Sequence, residues 1–367
     1  MTSWTESLVR RGATFDGHAV THFSAPEEEL AAARDTAVVC DLTPLATMRV
    51  AGPDAAAFLQ GQLTNDVTDL ASGMAQYSAW CSPKGRMLVN FILLRTEATT
   101  FELLLPVSMI AAVLKRLTMF VLRSKLTIED TSGESVHIGV GGPTAAAALR
   151  TASIDAPARF QLRTLDGGSI VAVPGGRYIV LTQPAFAEQL WDRISSAARP
   201  AGFPAWQWLT IRAGVPIITP ATTDRLVPQM ANWDALAGVS FRKGCYTGQE
   251  IVARTQHLGR LKERTFLAHV DGPPPGPGEK LYSTTFGDQS CGTVLNAAVA
   301  PGGGSDLVAA LQIAAAQSGD VRIGSPDGPA IILLPLPYPL PDTPSSASSG
   351  APSNSPRTAE APRGRVA

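Results

Sequence analysis

The chain has 367 residues, 45% of them hydrophobic and only 17% charged, with 30 Lys and Arg against 31 Asp and Glu for a net charge of −1. That length allows two or three domains with ample core, and the balanced charge exerts no global pull toward nucleic acid or an anionic membrane. No apolar run is long enough to span a bilayer, the strongest (Ala330-Ile331-Ile332-Leu333-Leu334) being broken at Pro335 and Pro337, and an N-terminus containing Glu6 and Asp16 lacks a signal peptide's apolar core, so the expected location is the cytoplasm.

Residues 1–26 show no strong periodicity and read as an N-terminal extension, laid on the surface or disordered. Pro26-Glu27-Glu28-Glu29-Leu30 opens a helix with acids in its first turn, where the helix dipole favours them. A strand over 45–50 follows, and Pro53 opens a second helix through about Gln60. Residues 77–105 alternate and are rich in aromatics (Tyr77, Trp80, Phe91, Phe101). With the turn Pro83-Lys84-Gly85 between runs, they predict hairpins of an antiparallel sheet. Apolar spacing predicts a helix over 107–120. Strands are expected at 125–128 and 136–140. Gly139-Val140-Gly141-Gly142-Pro143-Thr144 hints at a dinucleotide fingerprint, but Thr144 stands at its third glycine and Pro143 suits a plain helix start.

Strands over 169–173 and 178–182 precede a helix from 184 to about 198 and another over 206–212. Gly259 is placed as the C-cap of a helix that follows residue 246. Beyond Arg264, short β-runs alternate with Pro/Gly loops such as Pro273-Pro274-Pro275-Gly276-Pro277-Gly278, the pattern of a small β-barrel. Residues 341–367 are Ser, Pro, Ala and Gly with almost no apolar anchors and read as a disordered tail.

The four cysteines stand singly, without a Cys-x-x-Cys pair, which argues against a zinc ribbon or a ferredoxin-type cluster site. Cys40 lies in an apolar run and reads as core, Cys291 as a strand residue, and Cys81 is open because it precedes a turn. Cys245 is different. It sits in Lys243-Gly244-Cys245-Tyr246-Thr247-Gly248-Gln249-Glu250. A thiol is a nucleophile or metal ligand only as the thiolate, which nearby cations and a helix N-terminus favour. Lys243 and Arg242 supply the charge. Thr247 and Glu250 have capping-box spacing ahead of Ile251-Val252-Ala253-Arg254, so a helix starting at Thr247 would aim its free N–H groups toward Cys245. On these residues alone Cys245 is either a reactive or ligating thiol or a small side chain packed on a tight turn. Gly244 and Gly248 weigh toward access. From 242 to 264 there are six basic residues (Arg242, Lys243, Arg254, Arg260, Lys262, Arg264) against Glu250 and Glu263, with His257 beside them. That excess is either a solvated helix face or an anion site. Direct RNA binding is not expected, because the basic run lacks dense aromatic interleaving.

The octapeptide resembles the signature of the YgfZ family of folate-binding proteins, relatives of the T-protein (aminomethyltransferase) of the glycine cleavage system. The likeness extends through Leu226-Val227-Pro228-Gln229-Met230-Ala231-Asn232-Trp233, Gly238-Val239-Ser240-Phe241-Arg242, Gln60-Gly61-Gln62-Leu63-Thr64-Asn65-Asp66-Val67, Cys81-Ser82-Pro83-Lys84-Gly85-Arg86 and Leu334-Pro335-Leu336-Pro337-Tyr338, covering roughly residues 28–340. It implies an α+β fold. A T-protein-like body of two interleaved α/β subdomains (27–258) precedes a C-terminal β-barrel (259–340), with a folate pocket near the centre of the body.

The function implied is that of a tetrahydrofolate-binding accessory factor for assembly or repair of [4Fe–4S] clusters in client enzymes, tRNA-modifying ones among them. Its partners would be those clients and cluster-assembly proteins. Cys245 would transiently ligate iron or sulfide or reduce a damaged cluster. Lys243 and Arg242 would keep it ionised, with Gly244, Tyr246, Thr247, Gly248, Gln249 and Glu250 in support. Candidate folate contacts are the amides Gln229, Asn232 and Asn90, which offer donors and acceptors to a pterin, Arg212 at a pterin-holding position of the relatives, and Arg254 in the basic cluster that would draw the acidic tail. Trp206, Trp208 and Trp233 could stack on a flat ring, though each reads more readily as core.

Two positions depart from the transferase pattern. Asn90 stands on the strand where T-proteins carry a carboxylate, and Arg212 stands where they carry a glutamate. The alternatives are a folate-dependent one-carbon transferase or demethylase and a pure folate-binding module. No His-Glu-x-x-His, phosphate-binding Walker loop or Gly-x-Ser-x-Gly is present.

Overall fold

The structure, a computed structural model, describes residues 3–257 and 261–341. Gly259 and the expected tail beyond Pro341 lie outside the described residues. A five-stranded antiparallel sheet runs Met74–Cys81, Met87–Glu97, Thr100–Pro106, Leu45–Ala51, Thr127–Asp130 in spatial order. A six-stranded sheet runs Leu162–Leu165, Gly168–Val173, Arg177–Thr182, Val136–Gly141, Val38–Asp41, Arg199–Ala201, antiparallel except for its last pair. The chain lays Val38–Asp41 in the second sheet, builds the first from the residues that follow, and returns to the second at Val136–Gly141. The two subdomains are interleaved in this way.

The third sheet is C-terminal, six-stranded and antiparallel, from Arg322–Ile323 to Ile331–Leu334 at its edges. It curls into a half-barrel whose edges touch through the Ile323 N–H to Pro329 and Ile331 N–H to Val321 bonds. Among the described residues no helix is long and apolar enough to cross a membrane.

Local patterns explain the helices that carry this frame. Val107–Thr118 buries Met109, Ile110, Val113 and Leu117, one face at helical spacing, against the five-stranded sheet. The helix Phe203–Arg212 is central. Trp206 and Leu209 pack into space left by Gly139 and Gly141, where an added Cβ would lie 2.7 Å from the Trp206 ring and 2.6 Å from Leu209. Those glycines serve helix-on-sheet packing, and the helix after them is only Ala145–Thr151. On its other side Trp208 reaches the half-barrel, its indole N–H donating to Asp306 at 2.9 Å.

Two expectations need correction. Residues 3–26 are not a loose extension. Ser3 and Glu6 form a capping box on the helix Trp4–Arg10, Leu8 and Val20 are buried, and Trp4 donates to Asp41 at 2.7 Å while its ring meets Trp191 edge-on. Seven helical residues are too few for periodicity to show. The second correction concerns the start of the helix after the octapeptide. It begins at Gln249, and the Val252 N–H bonds the Gly248 carbonyl, so Gly248 and not Thr247 is the N-cap.

Candidate functional site

Three of the sequence segments singled out above converge on the octapeptide. The Lys243 ammonium is buried and donates to the carbonyls of Gln60 (2.7 Å), Leu63 (2.6 Å) and Asn65 (3.0 Å), and it lies 5.0 Å from the Tyr246 ring centre. Burial pushes it down to about 8, with Asp66 opposing. The Ser240 N–H bonds Thr64, and the Thr64 hydroxyl bonds Gly238. From the other side the turn at Ser82 and Gly85 packs on Gly248. Tyr246 is buried beneath, its phenol pushed up by burial and by the Cys81 thiol.

This clamp presents the thiol. Cys245 is exposed, whereas Cys40, Cys81 and Cys291 are buried. Burial raises all three of those thiols. Gly244 and Arg242 are exposed, Thr247 and Gln249 half-buried, and Glu250 exposed. The basic excess is smaller than the sequence implied. Lys243 is tied to carbonyls, and Arg264 is buried in a pair with Asp234 at 2.6 Å, while Arg260 and the side chain of His257 lie outside the described residues. Arg242, Arg254 and Lys262 remain exposed. Among the described residues no group of three or more His, Cys, Asp or Glu could hold a metal.

An apolar cavity lies elsewhere, between the two body sheets and the helix Phe203–Arg212. It measures about 300 Å³ and is walled by Tyr77, Ile92, Ile179, Phe203, Trp206 and Trp233, and residues 242–250 are not among its walls. Of the five candidate folate contacts only Asn90 lines it. Both ends of that amide are engaged, donating to Pro216 and accepting from Ile218, each at 2.8 Å. Gln229 donates to Val252, and Asn232 donates to Thr265 and accepts from it. Arg212 reaches Asp306 of the half-barrel at 3.6 Å. Arg254 is exposed. Trp206 and Trp233 line the cavity, while Trp208 does not.

Sequence reasoning missed Arg177. It lines the cavity at 3% exposure, donates to Thr210 (2.6 Å) and Pro174 (3.0 Å), and lies over the Trp206 ring at 5.3 Å. Its Nη2 has no hydrogen-bond partner among the described residues. Burial lowers its pKa, with Tyr77 opposing. The available signal was a lone arginine opening the run Tyr178-Ile179-Val180-Leu181-Thr182 directly after Gly175-Gly176.

Residues 8–174 match the GCVT N-terminal domain. The glycine cleavage system aminomethyltransferase T of Bartonella henselae shares the fold with a TM-score of 0.68 at 18% identity, over 90% of this chain and 94% of that one. The molecule is therefore a T-protein-fold protein. The tRNA-modifying protein YgfZ of Cronobacter sakazakii is 34% identical over 260 residues, 70% of this chain and 78% of its own length. Its counterpart in Enterobacter sp. is 33% identical over 321 residues, 86% and 97%. The chain belongs to the YgfZ family.

Proposed function

We propose that this chain is a tetrahydrofolate-binding accessory factor that maintains [4Fe–4S] clusters of client enzymes, tRNA-modifying ones among them, with Cys245 as its reactive group. The observation that carries the reading is the presentation of that thiol. It is the exposed one of four, on a loop that Lys243 pins to three backbone carbonyls and Gly248 pins to the turn at Ser82. A loop held this firmly delivers its side chain to a partner with little ordering cost. Family membership supports the client class, since the relatives are named as tRNA-modifying proteins.

A reduced folate fits the central cavity. The volume stands at the lower end of small-ligand sites, roughly 300–1,000 Å³. Tyr77, Trp206 and Trp233 line it with aromatic surface suited to a flat ring, and the Arg177 Nη2, without a hydrogen-bond partner among the described residues, is a donor available to an acceptor. When bound, the folate supplies a one-carbon carrier and a redox-active ring. The chain's own residues enclose that ring and exclude water from it. In this reading the cluster is cargo that belongs to the client, and Cys245 meets it as one thiol. The cavity walls carry no Asp or Glu, which weighs against aminomethyl transfer, since that chemistry places positive charge beside the folate.

The test is complementation of a strain lacking this protein with Cys245→Ser. Loss of thiolated nucleosides from tRNA and of [4Fe–4S] enzyme activity is expected at unchanged protein level. Wild-type levels of both would sink the reading.

A further inference from the structure

The polar atoms on the cavity walls are unevenly matched. No wall residue is Asp or Glu. Asn90 is engaged at both ends by backbone. The Thr210 hydroxyl accepts from Arg177 and donates to the Trp206 carbonyl at 2.8 Å. Two wall residues hold a buried polar atom without a partner, Arg177 Nη2 and Trp233 Nε1, and both atoms are donors. The Trp233 indole is packed under Gly238, where an added Cβ would lie 2.3 Å from Nε1. Arg177 is thus the donor backed by charge.

No described carboxylate forms an ion pair with Arg177. Its compensation is one carbonyl, the Thr210 hydroxyl, the neighbouring Tyr77 phenol and the face of Trp206. A buried guanidinium left this way is costly, and strongly perturbed ionisable groups cluster at functional sites.

We propose that Arg177 is the specificity-determining residue of this cavity, selecting a flat heterocycle that brings an oxygen acceptor to the guanidinium. The inference rests on the folate reading above and adds which end of the ligand enters and by what contact. The walls are apolar and aromatic around Arg177, which suits a fused ring system better than a tail with two carboxylates. The ring end is therefore inside, held by donation from Arg177, and the two tail carboxylates stay hydrated outside. The same guanidinium repels a ligand that presents positive charge at that point.

Calorimetric titration of the full chain with 5-formyltetrahydrofolate and with p-aminobenzoylglutamate, which lacks the pterin, tests this. The wild type is expected to bind the first at least about tenfold more tightly. Arg177→Met is expected to lose roughly 10- to 100-fold affinity for it, the range of a charged hydrogen bond, and Arg177→Lys to lose less. The tail fragment should bind all three proteins equally weakly. Near-ultraviolet circular dichroism checks that the variants are folded, and the wild-type ligand ranking holds as a test even where Arg177→Met fails to fold. Binding of 5-formyltetrahydrofolate to Arg177→Met within about threefold of wild type overturns the inference while leaving the folate reading intact, and so does an Arg177 dependence confined to the tail fragment. No folate binding to the wild type overturns both.

Discussion

Gly85 and Gly248 meet backbone to backbone. A Cβ placed on Gly248 would fall 2.8 Å from the Gly85 Cα and 2.4 Å from the Ser82 carbonyl oxygen, and Gly248 holds a φ of +83°. This contact joins two segments 163 positions apart in the chain and sets where the Cys245 loop can lie. Gly248→Ala combines a left-handed backbone with an immovable clash, and is expected to cost about 2–5 kcal/mol. Gly244 has open space around it and no left-handed φ. Gly244→Ala should change stability by no more than about 0.5 kcal/mol. Urea denaturation of the two variants checks the contrast; similar losses would mean that the loop is not held by this contact.

Thiol chemistry should separate the four cysteines cleanly. Cys245 is exposed and the other three are buried, with burial raising Cys40, Cys81 and Cys291 away from the reactive thiolate form. Ellman's reagent at neutral pH is expected to titrate one thiol in the native wild type and none in Cys245→Ser, with three or four appearing only in denaturant. A second rapid thiol in the native protein would contradict the burial pattern.

The sequence pointed to the octapeptide and to its partner segments separately, but not to how they meet. Lys243 binds the carbonyls of Gln60, Leu63 and Asn65, and a backbone acceptor leaves no side-chain signature. Proximity along the chain misled in the other direction. Gln229 and Asn232 lie close to the motif in sequence, yet the Gln229 amide nitrogen is engaged by Val252 and both amide atoms of Asn232 by Thr265. The strand beginning at Arg177 is buried on both faces except at Tyr178, so alternation could not mark Arg177 as an inward-facing charge. The long elements were legible because each shows one apolar face over three or more turns, as at Val107–Thr118, or alternating β-formers around a turn, as at Met74–Cys81 and Met87–Glu97.

His137 predicts an acid-sensitive fold. It is buried on the strand Val136–Gly141, with Nδ1 3.2 Å from the Leu45 carbonyl and Nε2 2.8 Å from the Thr47 hydroxyl. A carbonyl can only accept, so Nδ1 carries the proton and Nε2 accepts from Thr47. Burial pushes this histidine down to about 4, with the Leu45 carbonyl opposing. The unfolded chain takes up its proton near pH 6.5 and the folded one only near 4. The contribution is therefore complete above pH 6.5 and declines as pH falls through that window. Between pH 7 and pH 5 the loss is about 2 kcal/mol. Chemical denaturation of wild type and His137→Asn at both values should show the smaller pH slope in the variant; equal slopes would place the acid sensitivity elsewhere.

The junction between the body and the half-barrel depends on a buried charge pair. Arg264, on the strand Glu263–Val270, donates to both carboxylate oxygens of Asp234 at 2.6 and 3.0 Å and to the Gln229 carbonyl at 3.0 Å, with the two side chains 7% and 3% exposed. Beside it Asn232 holds Thr265 through both amide atoms. Removing one partner leaves the other charge buried and unpaired, so Asp234→Ala is expected to cost about 3–5 kcal/mol. Replacing both, as Asp234→Leu with Arg264→Met, removes the stranded charge as well as the attraction and should recover most of that loss. A double-mutant cycle by urea denaturation measures the coupling. Additive losses would show that the pair is screened and that the Asn232 and Met230 contacts with Thr265 hold the half-barrel against the segment that leads into the Cys245 loop.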